Sequence, residues 1–145
     1  TQAAVAALLL GLIAYVVYVV YRARLPYPDN PLYGITSEEI ERIGITNGEE
    51  IWWITEEEAA PLIPLLSQVE LKGDDMPSVL ENSVGLHNIM FRIVLTSGRE
   101  LNFAASSMYY FLDGKTFRGD STPCDAISSI YTELFEQYTG RWPYG

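Results

Sequence analysis

The chain has 145 residues, with 19 acidic and 9 basic side chains, a net charge of −10 and 48% apolar residues. That length fits one domain plus a short extra segment, and the apolar share argues against intrinsic disorder. The acidic surface repels phosphate backbones, so nucleic acid is a poor partner. One cysteine and one histidine leave no internal disulfide, no zinc site that needs two or more cysteines, and few acid–base constellations.

Residues 3–21 run for 19 positions without a charge, amide or proline. At about 1.5 Å rise per residue such a helix reaches about 28 Å, close to the hydrocarbon thickness of a bilayer. A buried core helix would be shorter or show a polar stripe. Tyr15, Tyr18 and Tyr21 cluster toward one end, and Arg22 and Arg24 follow them. Phenol rings with arginines just beyond are the residue types of a membrane–water boundary. The lipid bilayer is thus an expected partner. A cleaved signal peptide fits less well, because the run ends in Tyr21-Arg22-Ala23-Arg24-Leu25-Pro26 and offers no small-x-small cleavage site. An uncleaved single-pass anchor over residues 1–24 is the expectation. Ala3, Ala7 and Gly11 repeat at four-residue spacing, which would let two such helices approach closely.

Orientation has two readings. Two arginines follow the helix and no basic residue precedes it, which puts the rest of the chain in the cytoplasm. The sequence starts at Thr1 rather than at methionine, and an extracytoplasmic domain would imply a basic segment before it. An N-terminal anchor with an acidic domain is also an export layout, and acidic residues hinder translocation little. The expectation leans to an extracytoplasmic domain.

Residues 25–33 contain Pro26, Pro28 and Pro31 and read as an extended, semi-rigid spacer. An acidic domain over residues 34–145 follows. Thr36-Ser37-Glu38-Glu39 has the form of a capping box and predicts one helical turn, then a strand over 40–46. Asn47-Gly48 predicts a two-residue hairpin turn into a strand over 50–55, pairing Ile43 with Trp52 and Ile45 with Glu50. Ile43, Ile45, Trp52 and Ile54 then share one face, and Ile51 and Trp53 point the other way. Thr55-Glu56-Glu57-Glu58 is a second capping box, opening a helix over 56–68 that Pro61 and Pro64 kink or split. Residues 69–71 read as a short strand and 72–83 as a loop.

Alternation over 86–95 places His87, Ile89, Phe91, Ile93 and Leu95 on one face. A three-residue loop at Thr96-Ser97-Gly98 pairs Phe91 with Phe103 and Ile93 with Leu101, whereas a two-residue turn would set the apolar faces opposite each other. That loop needs Gly98 left-handed. A further hairpin, 108–112 with 115–118 across Asp113-Gly114, pairs Tyr110 with Phe117. Thr122 as cap, Pro123 at the first position and Asp125 at the third open a last helix, which Gly140 closes. The order β-β-α-β-β-β-β-α predicts an α+β domain, a mostly antiparallel sheet with two helices packed on one face.

Candidate chemistry is sparse. His87 has no nucleophile or carboxylate motif to work with, and reads as a structural residue. Cys124 near a helix N-terminus could form a thiolate, but Asp125 opposes that and lone cysteines usually pack as small hydrophobes. Glu56, Glu57 and Glu58 fit a helix dipole better than a calcium loop. No metal site and no cofactor is expected. Aromatic side chains are the best lead: Trp53, Tyr109, Phe111 and Trp142 are the expected contact residues for an unidentified protein partner. The functional expectation is a membrane-tethered, non-catalytic binding, accessory or sensor module. A structural subunit of a membrane complex, assembled through Ala3, Ala7 and Gly11, is the alternative, and an enzyme using His87 and Cys124 comes third.

Overall fold

Nothing in the first two dozen residues competes with a helix, and in the computed structural model α1 spans Gln2–Arg24. The Thr1 hydroxyl caps it by accepting the Ala4 N–H at 3.2 Å. The structure describes residues 1–72, 90–106 and 109–142. The expected loop beyond residue 72, the strand positions 86–89 with His87, Met108 and the terminal Pro143 and Tyr144 lie outside the described residues.

Six strands follow: β1 (Ile40–Thr46), β2 (Ile51–Trp53), β3 (Met90–Leu95), β4 (Glu100–Ser106), β5 (Tyr109–Leu112) and β6 (Lys115–Arg118). They form one sheet in the order β2-β1-β3-β4-β5-β6, every neighbouring pair antiparallel. Among the described residues the further helices are a 3-10 turn (Ser37–Glu39) after the Thr36 capping box, α2 (Glu56–Ala59), α3 (Leu62–Leu66) and α4 (Ser121–Thr139). The fold is α+β, as the pattern predicts. The stretch over 56–68 is two short pieces broken at Pro61, because a proline ring inside a helix removes a donor and crowds the preceding turn.

Alternation builds the core. Ile43, Ile45, Phe91, Ile93, Leu101, Phe103, Tyr110 and Phe117 line the inner face of the sheet and are buried. Leu62 and Leu66 of α3 and Ile127, Tyr131 and Leu134 of α4 belong to the same cluster. Tyr131 is held on three sides: its ring meets Phe91 edge-on at 5.4 Å, lies against Phe135 at 5.8 Å, and its hydroxyl donates to the Thr46 carbonyl at 2.9 Å.

Both later hairpins have the expected register. Phe91 faces Phe103 and Ile93 faces Leu101, with Gly98 at φ 92°. Tyr110 faces Phe117 across Asp113 and Gly114, both at positive φ. Three local expectations are corrected. The first hairpin pairs Ile45 with Trp52 rather than with Glu50, because the loop has four residues. Asn47 Oδ1 accepts the N–H of Glu49 at 3.0 Å and of Glu50 at 2.9 Å, an Asx turn that draws both residues out of the ladder. A shift of two residues leaves the faces unchanged, so Ile43, Ile45, Trp52 and Ile54 still point inward.

Residues 69–71 form no strand; the pairing there is an isolated bridge between Lys72 and Pro26. The last helix begins at Ser121 with Asp120 in the cap position, two residues ahead of the Thr122 cap expected. Gly140 ends it in the left-handed conformation at φ 68°.

The proline-rich stretch packs along the domain and closes in a turn, where the Ile35 N–H donates to the Leu32 carbonyl at 3.0 Å. Tyr27 donates its N–H to the Leu71 carbonyl at 2.7 Å, and its ring lies 4.7 Å from Phe117. Asp29 and Arg99 form a two-pronged ion pair at 3.0 and 3.2 Å. The guanidinium holds the Asp29 carboxyl below its ordinary range. Leu32 is fully buried. Only Leu25 separates the end of α1 from the first of these contacts.

Candidate functional site

Strand parity decides which aromatic side chains meet. Trp52, Ile45, Phe91, Phe103 and Tyr110 point into the core, so Ile51 and Trp53 on β2, and Tyr109 and Phe111 on β5, share the opposite face. Trp53 is 37% exposed, and Tyr109 and Phe111 are half-buried. Four interstrand steps of about 4.8 Å put β2 and β5 about 19 Å apart. The expected contact residues thus occupy two ends of one face rather than one cluster. Trp142 belongs to neither end. It stands two residues beyond the Gly140 cap of α4, 56% exposed.

Trp53 also has work inside the molecule. Its ring lies over Gly44 in the neighbouring strand, where an added Cβ would stand 3.0 Å from Trp53 Cε3 and 2.8 Å from Ile51 Cγ2. The Arg42 guanidinium covers the ring at 3.8 Å from its centroid. An aromatic ring over a strand glycine restores the cross-strand contact the glycine cannot make. Val94 and Ala104 on the central strands β3 and β4, and Thr116 on the edge strand β6, point to the same face and are buried.

Cys124 sits at the start of α4 but is fully buried. Burial pushes its thiol up to about 11, and Asp125 and Asp120 add to the rise against the opposing hydrogen bond with Tyr110. A protonated thiol enclosed in the core is neither a nucleophile nor a ready metal ligand. Among the described residues no group of three His, Cys, Asp or Glu side chains is placed to hold a metal ion.

On α1, Ala3, Ala7 and Gly11 lie on one helical face and are exposed. A Cβ on Gly11 would meet nothing within 4 Å. Tyr15, Tyr18 and Tyr21 are exposed as well. Arg22 reaches back one turn to the Tyr18 hydroxyl at 3.4 Å. α1 is the one helix among the described residues long and apolar enough to cross a membrane, and none of that stretch is buried against the rest of the chain.

Sequence periodicity gives no sign of a groove of about 600 Å³ between the start of β1 and the α2–α3 pair. Its floor is Ile40, Ile43, Ile54 and Ile63, and Ala59 and Ala60 present only methyl groups to it. Glu38, Glu41 and Glu56 stand on its rim. A register shift between Ile40 and Arg42 marks a bulge at Glu41; bulges re-aim side chains in this way.

One wall of the groove is pinned by Glu58. Its carboxylate accepts the Thr55 N–H at 2.9 Å, the Tyr138 hydroxyl and the Gln137 side-chain N–H at 2.6 Å. The backbone bond from Thr55 does most to hold the Glu58 carboxyl below its ordinary range, with the Tyr138 bond next. A folded-state value below the unfolded one stabilises the fold at pH above about 4.3, and that contribution is lost as pH falls through the folded value. The melting temperature of the wild type should therefore fall on acidification below about pH 4.3, and Glu58→Gln should flatten that fall. Equal slopes in the two proteins, followed by thermal melts across pH 3–6, would count against the link.

Compared with protein-family models, curated proteins and solved structures, this chain matches none.

Proposed function

We infer that this chain is a membrane-tethered, non-catalytic α+β module that docks a protein partner, in an accessory or sensor role. The observation that supports the tether is α1, an apolar helix that buries none of its length against the domain. Large apolar side chains left in water would cost about 25 cal/mol for each Å² exposed, so such a helix needs another apolar medium. Its tyrosines and arginines sit at the domain-side end, where an aqueous boundary would fall. The partner surface in this reading is the outer sheet face, with Trp53 at one end and Tyr109 and Phe111 at the other; Trp142 is a separate contact. The non-catalytic reading draws on the enclosed, protonated state of Cys124.

Topology is the test. The chain is fused at its C-terminus to alkaline phosphatase and, separately, to a fluorescent protein that matures only in the cytoplasm. The expected result is a carbonate-resistant membrane protein with phosphatase activity. Extraction by carbonate sinks the tether, and fluorescence without phosphatase activity reverses the side. Photocrosslinkers at Tyr109 and Phe111 should give partner adducts in intact membranes that a crosslinker at Glu57 does not; the opposite pattern removes the aromatic surface.

A further inference from the structure

The groove beside β1 is a second surface, on the helix side of the sheet, and it stands whether or not α1 crosses a bilayer. β2 covers only Gly44–Thr46 of its neighbour, and the chain leaves the sheet at Ile54, whose N–H donates to the Ile43 carbonyl at 3.0 Å. Ile40 to Arg42 therefore have no strand on that side among the described residues. The space there is about 600 Å³, within the roughly 300–1,000 Å³ of ligand clefts. Its floor is aliphatic, and Ala59 and Ala60 keep it open.

Charge selects the occupant. Glu38, Glu41 and Glu56 are exposed and make no ion pair among the described residues. Arg42, the cation of the same rim, has its guanidinium stacked on Trp53 of the outer face. An apolar trough with three unneutralised carboxylates favours a ligand that brings positive charge and aliphatic surface together. A second copy of this chain, at net charge −10, meets repulsion instead. We propose that the groove takes a short extended segment of a partner protein in which lysine or arginine alternates with aliphatic residues.

The test uses the full chain in neutral detergent micelles and a fluorescein-labelled nonapeptide of alternating lysine and leucine, with anisotropy read against empty micelles. The combined variant Glu38→Gln, Glu41→Gln, Glu56→Gln should bind at least about tenfold more weakly, a loss of about 1.4 kcal/mol. Ala60→Trp, which fills the groove at unchanged charge, should lose binding similarly. Neutralising three carboxylates that do not line the groove, Glu49, Glu50 and Glu133, should change affinity by less than about twofold. A lysine–serine peptide of equal charge should bind at least about tenfold more weakly than the lysine–leucine one. Equal losses in the two triple variants would reveal a net-charge effect and overturn the proposal. So would full binding by Ala60→Trp, equal binding of the two peptides, or no binding by the wild type.

Discussion

Tyr131→Ala should lower the unfolding free energy of the full chain by about 3–5 kcal/mol. The substitution removes a ring packed edge-on to Phe91 and along Phe135, in a position 2% exposed, where the neighbours can collapse only in part. It also removes the hydrogen bond that the Tyr131 hydroxyl donates to the Thr46 carbonyl. A domain of ordinary stability holds about 5–15 kcal/mol in all, so the variant should sit near its unfolding midpoint under mild conditions. Tyr131→Phe separates the two causes. It keeps the ring and loses only the hydrogen bond, at about 1–2 kcal/mol. Denaturant titration in micelles measures both, and an alanine variant within about 1 kcal/mol of wild type would show that α4 does not clamp the sheet through this residue.

Gly119→Ala is the second large effect, and it comes from the opposite fault, too little room. A Cβ at this position would overlap Tyr110 Cε2, and would stand 2.6 Å from Tyr110 Cδ2 and 2.9 Å from Cys124 Sγ. Neither neighbour can yield cheaply. Tyr110 is buried in the ladder between Ala105 and Phe117, and Cys124 is enclosed at the start of α4. Overpacking of this kind costs about 1–3 kcal/mol, which lowers the melting temperature by about 5–15 °C for a domain of this size. A thermal melt within about one degree of wild type would mean that the β6–α4 junction is looser than its contacts imply.

What the sequence made legible was set by parity and by turn chemistry. Phe91 opposite Phe103 could be read without coordinates, since a slip of one residue would have turned every apolar side chain outward. The Asn47-Gly48 turn misled because the Asn47 carboxamide closes its own Asx turn and lengthens the loop by two residues, a local competition that periodicity does not register. The start of α4 was read late because Thr122 and Pro123 carry the usual start signals, while Asp120 fills the cap position without a side-chain bond. Long-range pairing lies beyond either kind of signal. That Lys72 bridges Pro26 and that β3 returns to the far side of β1 depend on which surfaces meet after collapse. The candidate contact residues show the same division: alternation turned Ile51 and Trp53 away from Trp52, but it could not tell that Tyr109 and Phe111 share that face four strand spacings away. Glu41 and Ile63, which line the same groove, carry no signal of that in a one-dimensional reading.

The short link between α1 and the domain has a consequence for reach. A flexible tether lets a domain sample a volume set by its contour length, and the concentration it presents to a partner falls as that volume grows. Here Leu25, itself the C-cap of α1, is the only residue between the helix and Pro26, Tyr27 and Asp29, which are fastened to Lys72, Leu71 and Arg99. As the tethered module proposed above, the domain would be a head on a stalk rather than a float on a line. In the tethered role proposed above, rotation of α1 about its axis would be passed on to the domain, and the proposed binding surface would be offered at one height and in a narrow range of directions.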